Sequence, residues 1–214
     1  DWSSDVCSSD LSESLLVDAT ATGKSVVTAE PVARGANAPE TRVLKSDVIY
    51  LAMRQGGEEI DRVETTGPGT LDFLPNRTGQ VKRNLKGDQI WITYGSGNRI
   101  DRFRSVNAVT RTEMQPPRIT QSKEILAFFG ANSVLTRLEQ NTDFRYEEGD
   151  RRANARKATM EQATNLLTLD GAASTSDPSG KVNADKITLD QKTGSYTAEG
   201  NVSRSEEHTS ELQS

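Results

Sequence analysis

Leu85-Lys86-Gly87-Asp88-Gln89-Ile90-Trp91-Ile92 runs along the same line as Leu44-Lys45-Ser46-Asp47-Val48-Ile49-Tyr50-Leu51. An internal repeat takes precedence over any local propensity, because a missed repeat misassigns the whole fold. Three later stretches follow the pattern: Ser122-Lys123-Glu124-Ile125-Leu126-Ala127-Phe128, Ala155-Arg156-Lys157-Ala158-Thr159-Met160 and Ala184-Asp185-Lys186-Ile187-Thr188-Leu189. Their spacing shrinks from about 41 to about 29 residues, as one unit with loops of variable length would give. Each is followed by a polar turn and a second short segment. These are Ile60-Asp61-Arg62-Val63, Ile100-Asp101-Arg102-Phe103, Leu135-Thr136-Arg137-Leu138, Leu167-Thr168-Leu169-Asp170-Gly171 and Tyr196-Thr197-Ala198-Glu199-Gly200.

Inside the units the apolar spacing is two. Ile49, Leu51 and Met53 alternate with Val48, Tyr50 and Ala52; Ile90, Ile92 and Tyr94 alternate with Gln89, Trp91 and Thr93. That is the period of a strand, whose successive side chains point to opposite faces. Turn formers separate the segments: Gly56-Gly57, Gly95-Ser96-Gly97-Asn98 and Gly130-Ala131-Asn132. Each unit therefore reads as strand, tight turn, strand and a longer crossing. Residues 153–163 are rich in good helix formers, but the repeat register predicts a strand there. The Ala/Gly/Pro/Thr-rich residues 12–41 are expected to be mostly loop, the remnant of a preceding repeat that Ser25-Val26-Val27-Thr28 could close. Residues 172–180 are expected to be a loop, and the β-repeat domain to span 42–203.

The two ends read differently. Residues 1–11 and 204–214 admit codon choices that are reverse complements of one another, as a translated sequencing adapter read through in frame would be. They are set aside as artefact, expected to be disordered, with the stretch between them an internal fragment. The only Cys (Cys7) and the only His (His208) go with them, and the formal net charge moves from −5 to zero. No acidic or basic partner, and no nucleic acid, is implied.

A two-stranded unit cannot bury its apolar face alone, so the units must stack. The buried row would include Ile49, Leu51, Ile90, Ile92, Ile125, Ala127, Phe129, Ala158, Met160, Ile187 and Leu189, joined by Val63, Phe103, Leu138, Leu169 and Val202 from the second segments. Hydrophobic residues make up 33% of the chain, which is thin for a packed domain. Two arrangements fit: a slim sandwich with one narrow core, or an open trough whose apolar interior a lipid completes.

Without His or Cys in the middle, the usual zinc sets, Ser-His-Asp triads and Cys-His pairs are excluded. Glu58-Glu59, Glu147-Glu148-Gly149-Asp150 and Asp177 leave room only for a carboxylate site, and all lie in apparent turns. Arg151-Arg152, Arg156 and Lys157 form a basic cluster that could meet lipid phosphates, or, with the acids before it, a mixed-charge surface. The reading is of a non-enzyme without cofactor or metal. A structural adhesin- or scaffold-like repeat with a dry core and a carboxylate-only β-helix enzyme stand as alternatives.

Ala184-Asp185-Lys186-Ile187-Thr188-Leu189-Asp190, then Thr193-Gly194, then Ala198-Glu199-Gly200-Asn201-Val202 resembles the repeat of the organic-solvent-tolerance (OstA) family, the LptA-type periplasmic proteins of lipopolysaccharide transport. The match is strong over this unit and looser over the earlier ones. The resemblance implies an all-β fold of stacked antiparallel strand repeats forming an open, twisted, jellyroll-like groove. It implies a lipid-binding bridge component that shelters the acyl chains of lipopolysaccharide or another acylated lipid on their way to the outer membrane. It implies the periplasm of a Gram-negative-type bacterium, with any membrane association left to parts outside this sequence. Edge-to-edge self-association, or pairing with other components of the transport bridge, would follow. The groove-lining candidates are then Ile49, Leu51, Val63, Ile90, Ile92, Phe103, Ile125, Ala127, Phe129, Leu138, Met160, Leu169, Ile187, Leu189 and Val202.

Overall fold

The computed structural model describes residues 2–3, 6–12, 15–31 and 39–206. Its first strands are β1 (Trp2–Ser3), β2 (Val6–Ser12), β3 (Leu15–Ala29), β4 (Thr41–Met53), β5 (Ile60–Thr65), β6 (Gly69–Leu74), β7 (Arg83–Gly87) and β8 (Gln89–Gly95). They continue as β9 (Arg99–Thr112), β10 (Arg118–Phe129), β11 (Leu135–Glu148), β12 (Arg151–Glu161), β13 (Leu166–Asp177), β14 (Gly180–Asp190), β15 (Tyr196–Glu199) and β16 (Ser203–Glu206). All pair antiparallel in one sixteen-stranded sheet, and from β8 to β15 neighbours in sequence are neighbours in space. The five repeats are the hairpins β4–β5, β8–β9, β10–β11, β12–β13 and β14–β15.

Residues 153–161 follow the repeat register, with 162 and 163 already in the turn: β12 is laddered on both sides, by β11 and β13, so cross-strand pairing overrides helix propensity. Two loop expectations are corrected. Leu15–Ala29 is a fifteen-residue strand, and β13 runs on to Asp177. Composition misled because Ala and Ser are needed where two layers meet: Ala21, Ser25 and Ala173 are all buried there. The crossings between hairpins are thus strand as well. Of the two end segments, residues 1, 4, 5 and 207–214 lie outside the described residues. Val6–Ser12 pairs along β3 and Ser203–Glu206 along β14, positions where an edge strand offers backbone groups that any extended chain can satisfy.

Most long strands break midway and pass from one leaf of the sheet to another. Pairing registers shift between Thr22 and Ser25, Gln121 and Glu124, Asn141 and Phe144, Asn154 and Lys157, and Asp170 and Ala173. These are bulges, which bend a strand and sharpen its twist. Left-handed residues mark the same corners: Gly23 and Lys24, Asn107, Thr142 and Asp143, Gly171 and Ala172, and Gly200 and Asn201.

The repeat motif has its physical meaning here. The Asp185 amide donates to the Gly200 carbonyl at 2.9 Å, and Asn201 Nδ2 donates to Asp185 Oδ2 at 2.9 Å. Asp88 makes the same clasp three repeats earlier: its amide donates to the Val106 carbonyl at 2.9 Å and its carboxylate accepts from Asn107 Nδ2 at 2.6 Å. Gly200 has φ +68° and any Cβ there would fall on the Asp185 side chain. The "acid … glycine-asparagine" signature therefore builds corners. Thr142 occupies its corner at φ +61° with no side-chain hydrogen bond, an unfavourable conformation for a β-branched residue. Thr142→Gly should raise stability by about 0.5–1 kcal/mol, the relief of left-handed strain less the added chain entropy of Gly; a urea midpoint that falls instead would show that the strain is absent.

Folded in this way, the two leaves face each other across an apolar layer. On one leaf, Ala21, Ile49, Thr65, Ile90, Ser105, Ile125, Gln140, Ala158, Leu169 and Ile187 stand in one cross-strand row, and every one is buried. Opposite run Leu44, Leu71, Leu85, Thr110, Thr120, Tyr146, Ala153, Thr175 and Val182. Leu44, Leu71 and Leu85 pack with Ile49, Ile90 and Ile125 in one cluster; Val182 packs with Leu169 and Ile187 in a second.

Candidate functional site

The interior changes character along the sheet. A second row, one step nearer the mouth than the deepest one, comprises Leu51, Val63, Ile92, Phe103, Ala127, Leu138, Met160, Leu167, Leu189 and Tyr196. From Leu51 to Ala127 these side chains are no more than 7% exposed. From Leu138 to Leu189 they are half-buried, and Tyr196 is 48% exposed. The row therefore begins as sealed core and ends as an open wall. Both sequence readings are present in one molecule, a slim sandwich at one end and a trough at the other.

A polar bond crosses the interior at the change. Thr120 Oγ1, on one leaf, donates to Gln140 Oε1, on the other, at 2.9 Å, and Thr110 Oγ1 lies 2.6 Å from Thr120 Oγ1. The bond satisfies groups that would otherwise be costly to bury. It also falls between the two apolar clusters, which do not merge.

Beyond it opens a cavity of about 790 Å³, within the ~300–1,000 Å³ range of small-molecule sites. Leu167, Leu169, Ile187, Leu189 and Tyr196 form one wall; Phe144, Tyr146, Ala153, Thr175 and Val182 form the other. Arg118, Glu148, Arg151 and Asp177 stand along its lip. A hollow of about 280 Å³ at the corner by Asp88, Asn107 and Asp143 has only polar and charged residues around it.

At the lip, Arg118 Nε donates to Glu148 Oε2 at 2.9 Å, and the Tyr146 hydroxyl donates to the same oxygen. The Tyr146 bond, and then that from Arg118, hold the Glu148 carboxyl below its ordinary value of 4.5. Burial, and then its bond to Glu148, push the Tyr146 hydroxyl up. For a carboxyl lowered in the folded state, the stabilisation is complete above the unfolded value and is lost as pH falls through the lower folded one. Stability of the parent should therefore drop on acidification below about pH 4.5 more steeply than that of Glu148→Gln; parallel acid titrations of the two melting midpoints would refute this.

Of the sequence candidates, Leu169, Ile187 and Leu189 line the open cavity. Ile49, Leu51, Val63, Ile90, Ile92, Phe103, Ile125 and Ala127 lie in the sealed cluster, with Phe129 and Leu138 packed against it. Met160 is half-buried in the row between Leu138 and Leu167. Val202 is the exception: it lies outside any strand and is 54% exposed, because the chain turns at Gly200 and Asn201 before β16 begins. The whole facing wall was missed in the sequence. Phe144 and Tyr146 lie beyond the short segments that define the repeat, and Thr175 falls in the supposed loop. The period-two pattern of Phe144, Tyr146 and Glu148 was the available signal. The acidic clusters have structural partners: Glu59 accepts the Gly97 amide, Glu148 binds Arg118 and Tyr146, and Asp177 accepts from Ser179.

A continuous antiparallel sheet folded into two facing leaves, closed by apolar packing at one end and open at the other, defines an open jellyroll-like groove. Residues 77–195, which carry β7 to β14, match the family of the LptA/(LptD N-terminal domain) LPS transport protein. The chain belongs to this family of lipopolysaccharide transport proteins. No curated protein gives a significant match to it.

Proposed function

We propose that the chain is a periplasmic carrier component that shelters acyl chains of lipopolysaccharide between its leaves during transport to the outer membrane. The observation that carries this reading is the graded opening of one apolar row, from sealed at Phe103 to exposed at Tyr196, beside a cavity of about 790 Å³ walled by Leu167, Leu169, Ile187 and Leu189. Burial of acyl methylenes there would contribute about 0.8 kcal/mol per CH₂. No chemistry on the lipid is involved; the groove lowers the cost of keeping hydrocarbon out of the bilayer, and the driving force comes from elsewhere.

Membership of a lipopolysaccharide transport family supports the ligand class and the compartment. The same membership supports edge-to-edge joining to a second copy or to another bridge component. The sealed half favours one other reading, a structural β-repeat with a dry interior. The two part on uptake of lipopolysaccharide or a fluorescent fatty acid by the folded chain. Saturable uptake supports the carrier. A folded chain that takes up neither ligand is a dry scaffold.

A further inference from the structure

We infer that the lip of the groove carries an anion site for the phosphate of an acylated lipid, with Arg151 as its free cation and Arg118 beside it; this rests on the groove being the lipid site.

Four arginines occupy one cross-strand row. Arg42 pairs with Phe73, Phe73 with Arg83, Arg83 with Thr112, Thr112 with Arg118, Arg118 with Glu148, and Glu148 with Arg151. Directly paired residues share a face, and residues two apart on a strand share it too. The row is therefore on the groove side, one step toward the mouth from Leu44, Leu71, Leu85 and Tyr146. An arginine falls on every second strand, so successive guanidinium groups are rooted about 9–10 Å apart.

Their states differ along the row. Arg83 is bound to Glu40 and stacks on Phe73 at 4.8 Å. Arg118 is bound to Glu148. Arg151 forms no ion pair within 4 Å among the described residues; it lies on the lining of the open cavity, where its charge is felt at longer range by Glu148 and Asp177. Of the basic residues nearby, Arg152 donates to the Gly149 carbonyl at 2.8 Å, Lys157 pairs with Glu139 at 2.8 Å and Arg204 pairs with Glu206, while Lys181, also on the cavity lining, forms no ion pair among the described residues. Two arginines of the row have no ion pair among the described residues: Arg42, at the sealed end beside Tyr94, and Arg151, where the apolar wall is exposed. A chain seated against Leu167, Leu169 and Leu189 would put its headgroup at this lip. A phosphate there would meet Arg151 and compete with Glu148 for Arg118, in the fork geometry that suits guanidinium to phosphate.

Dodecyl phosphate, dodecyl maltoside and inorganic phosphate, titrated into the 214-residue chain below micelle-forming concentrations, test the site. The parent should bind dodecyl phosphate more tightly than the maltoside, and inorganic phosphate too weakly to detect. Arg151→Gln should weaken dodecyl phosphate about tenfold and leave the maltoside unchanged. Glu148→Gln, which removes the competing carboxylate, should tighten the phosphate alone. Lys86→Gln, the same charge change on the outer face of the sealed end, should alter neither. Maltoside binding by the parent, together with an Arg151→Gln variant that binds both detergents like the parent or loses both equally, overturns the anion site and leaves the groove standing. If the parent binds neither detergent, the groove reading falls and the anion site with it. Arg151 is exposed, and an unchanged melting midpoint of the variant excludes misfolding.

Discussion

Ile90→Asp is expected to abolish the folded state. Ile90 is fully buried in the deepest row, with its amide donating to Thr65 Oγ1 at 3.0 Å and its side chain among Ile49, Val63, Leu85 and Ile125. Among the described residues the buried polar ones include no Lys or Arg to pair with a carboxylate. An unpaired buried charge costs several kcal/mol even after relaxation, on top of the lost packing of the isoleucine, about 2–5 kcal/mol for truncation alone. Domains of this size hold only about 5–15 kcal/mol in total. The variant should show no cooperative thermal transition in circular dichroism. Ile90→Val, which removes one methylene, should cost only about 0.5–1.5 kcal/mol and keep a sharp transition. Parent-like melting of Ile90→Asp would mean that this end of the sheet is wet, and the division into sealed and open halves would be lost with it.

That division shows where sequence reading reaches and where it stops. The repeat and its period of two located the hairpins and the deepest row, since Ile49, Ile90, Ile125, Ala158 and Ile187 are equivalent positions in successive units and all are buried. Period alone could not show that the row beside them would open. Leu51 and Leu189 occupy matching places in their repeats, yet one is sealed and the other half-exposed. The difference comes from the facing leaf, where Leu44, Leu71 and Leu85 give way to Thr110, Thr120 and later Ala153 and Thr175. Tyr146 and Val182 of the same row line the gap, and the Thr and Ala opposite are too short to fill it. Those residues lie in segments that carry little repeat signal, because small residues at a corner look like loop composition. The basic cluster divided in the same way: whether Arg151 or Arg152 faces the groove depends on strand register, which a one-residue shift inverts.

Leu189→Glu is the counterpart of Ile90→Asp, and the largest functional effect is expected from it. Leu189 follows Ile187 by two residues on β14, pairs with Leu167 and Tyr196, and lines the open cavity while half-buried. Its carboxylate could reach water through the mouth, so the desolvation cost that destroys Ile90→Asp is largely avoided. The melting midpoint should move by only a few degrees, in keeping with a destabilisation of about 1 kcal/mol. Lipid uptake should not survive. The charge would sit in the wall against which hydrocarbon packs, and an acyl chain would have to displace its hydration or forgo contact over several methylenes, each about 0.8 kcal/mol. Loss of two or three such contacts already weakens binding by more than tenfold. Leu189→Met, similar in volume and apolar, should bind as the parent does. Uptake of a fluorescent fatty acid by Leu189→Glu at parent affinity would place the lipid away from this wall, whereas loss of uptake with the fold intact separates the wall that holds the ligand from the core that holds the protein.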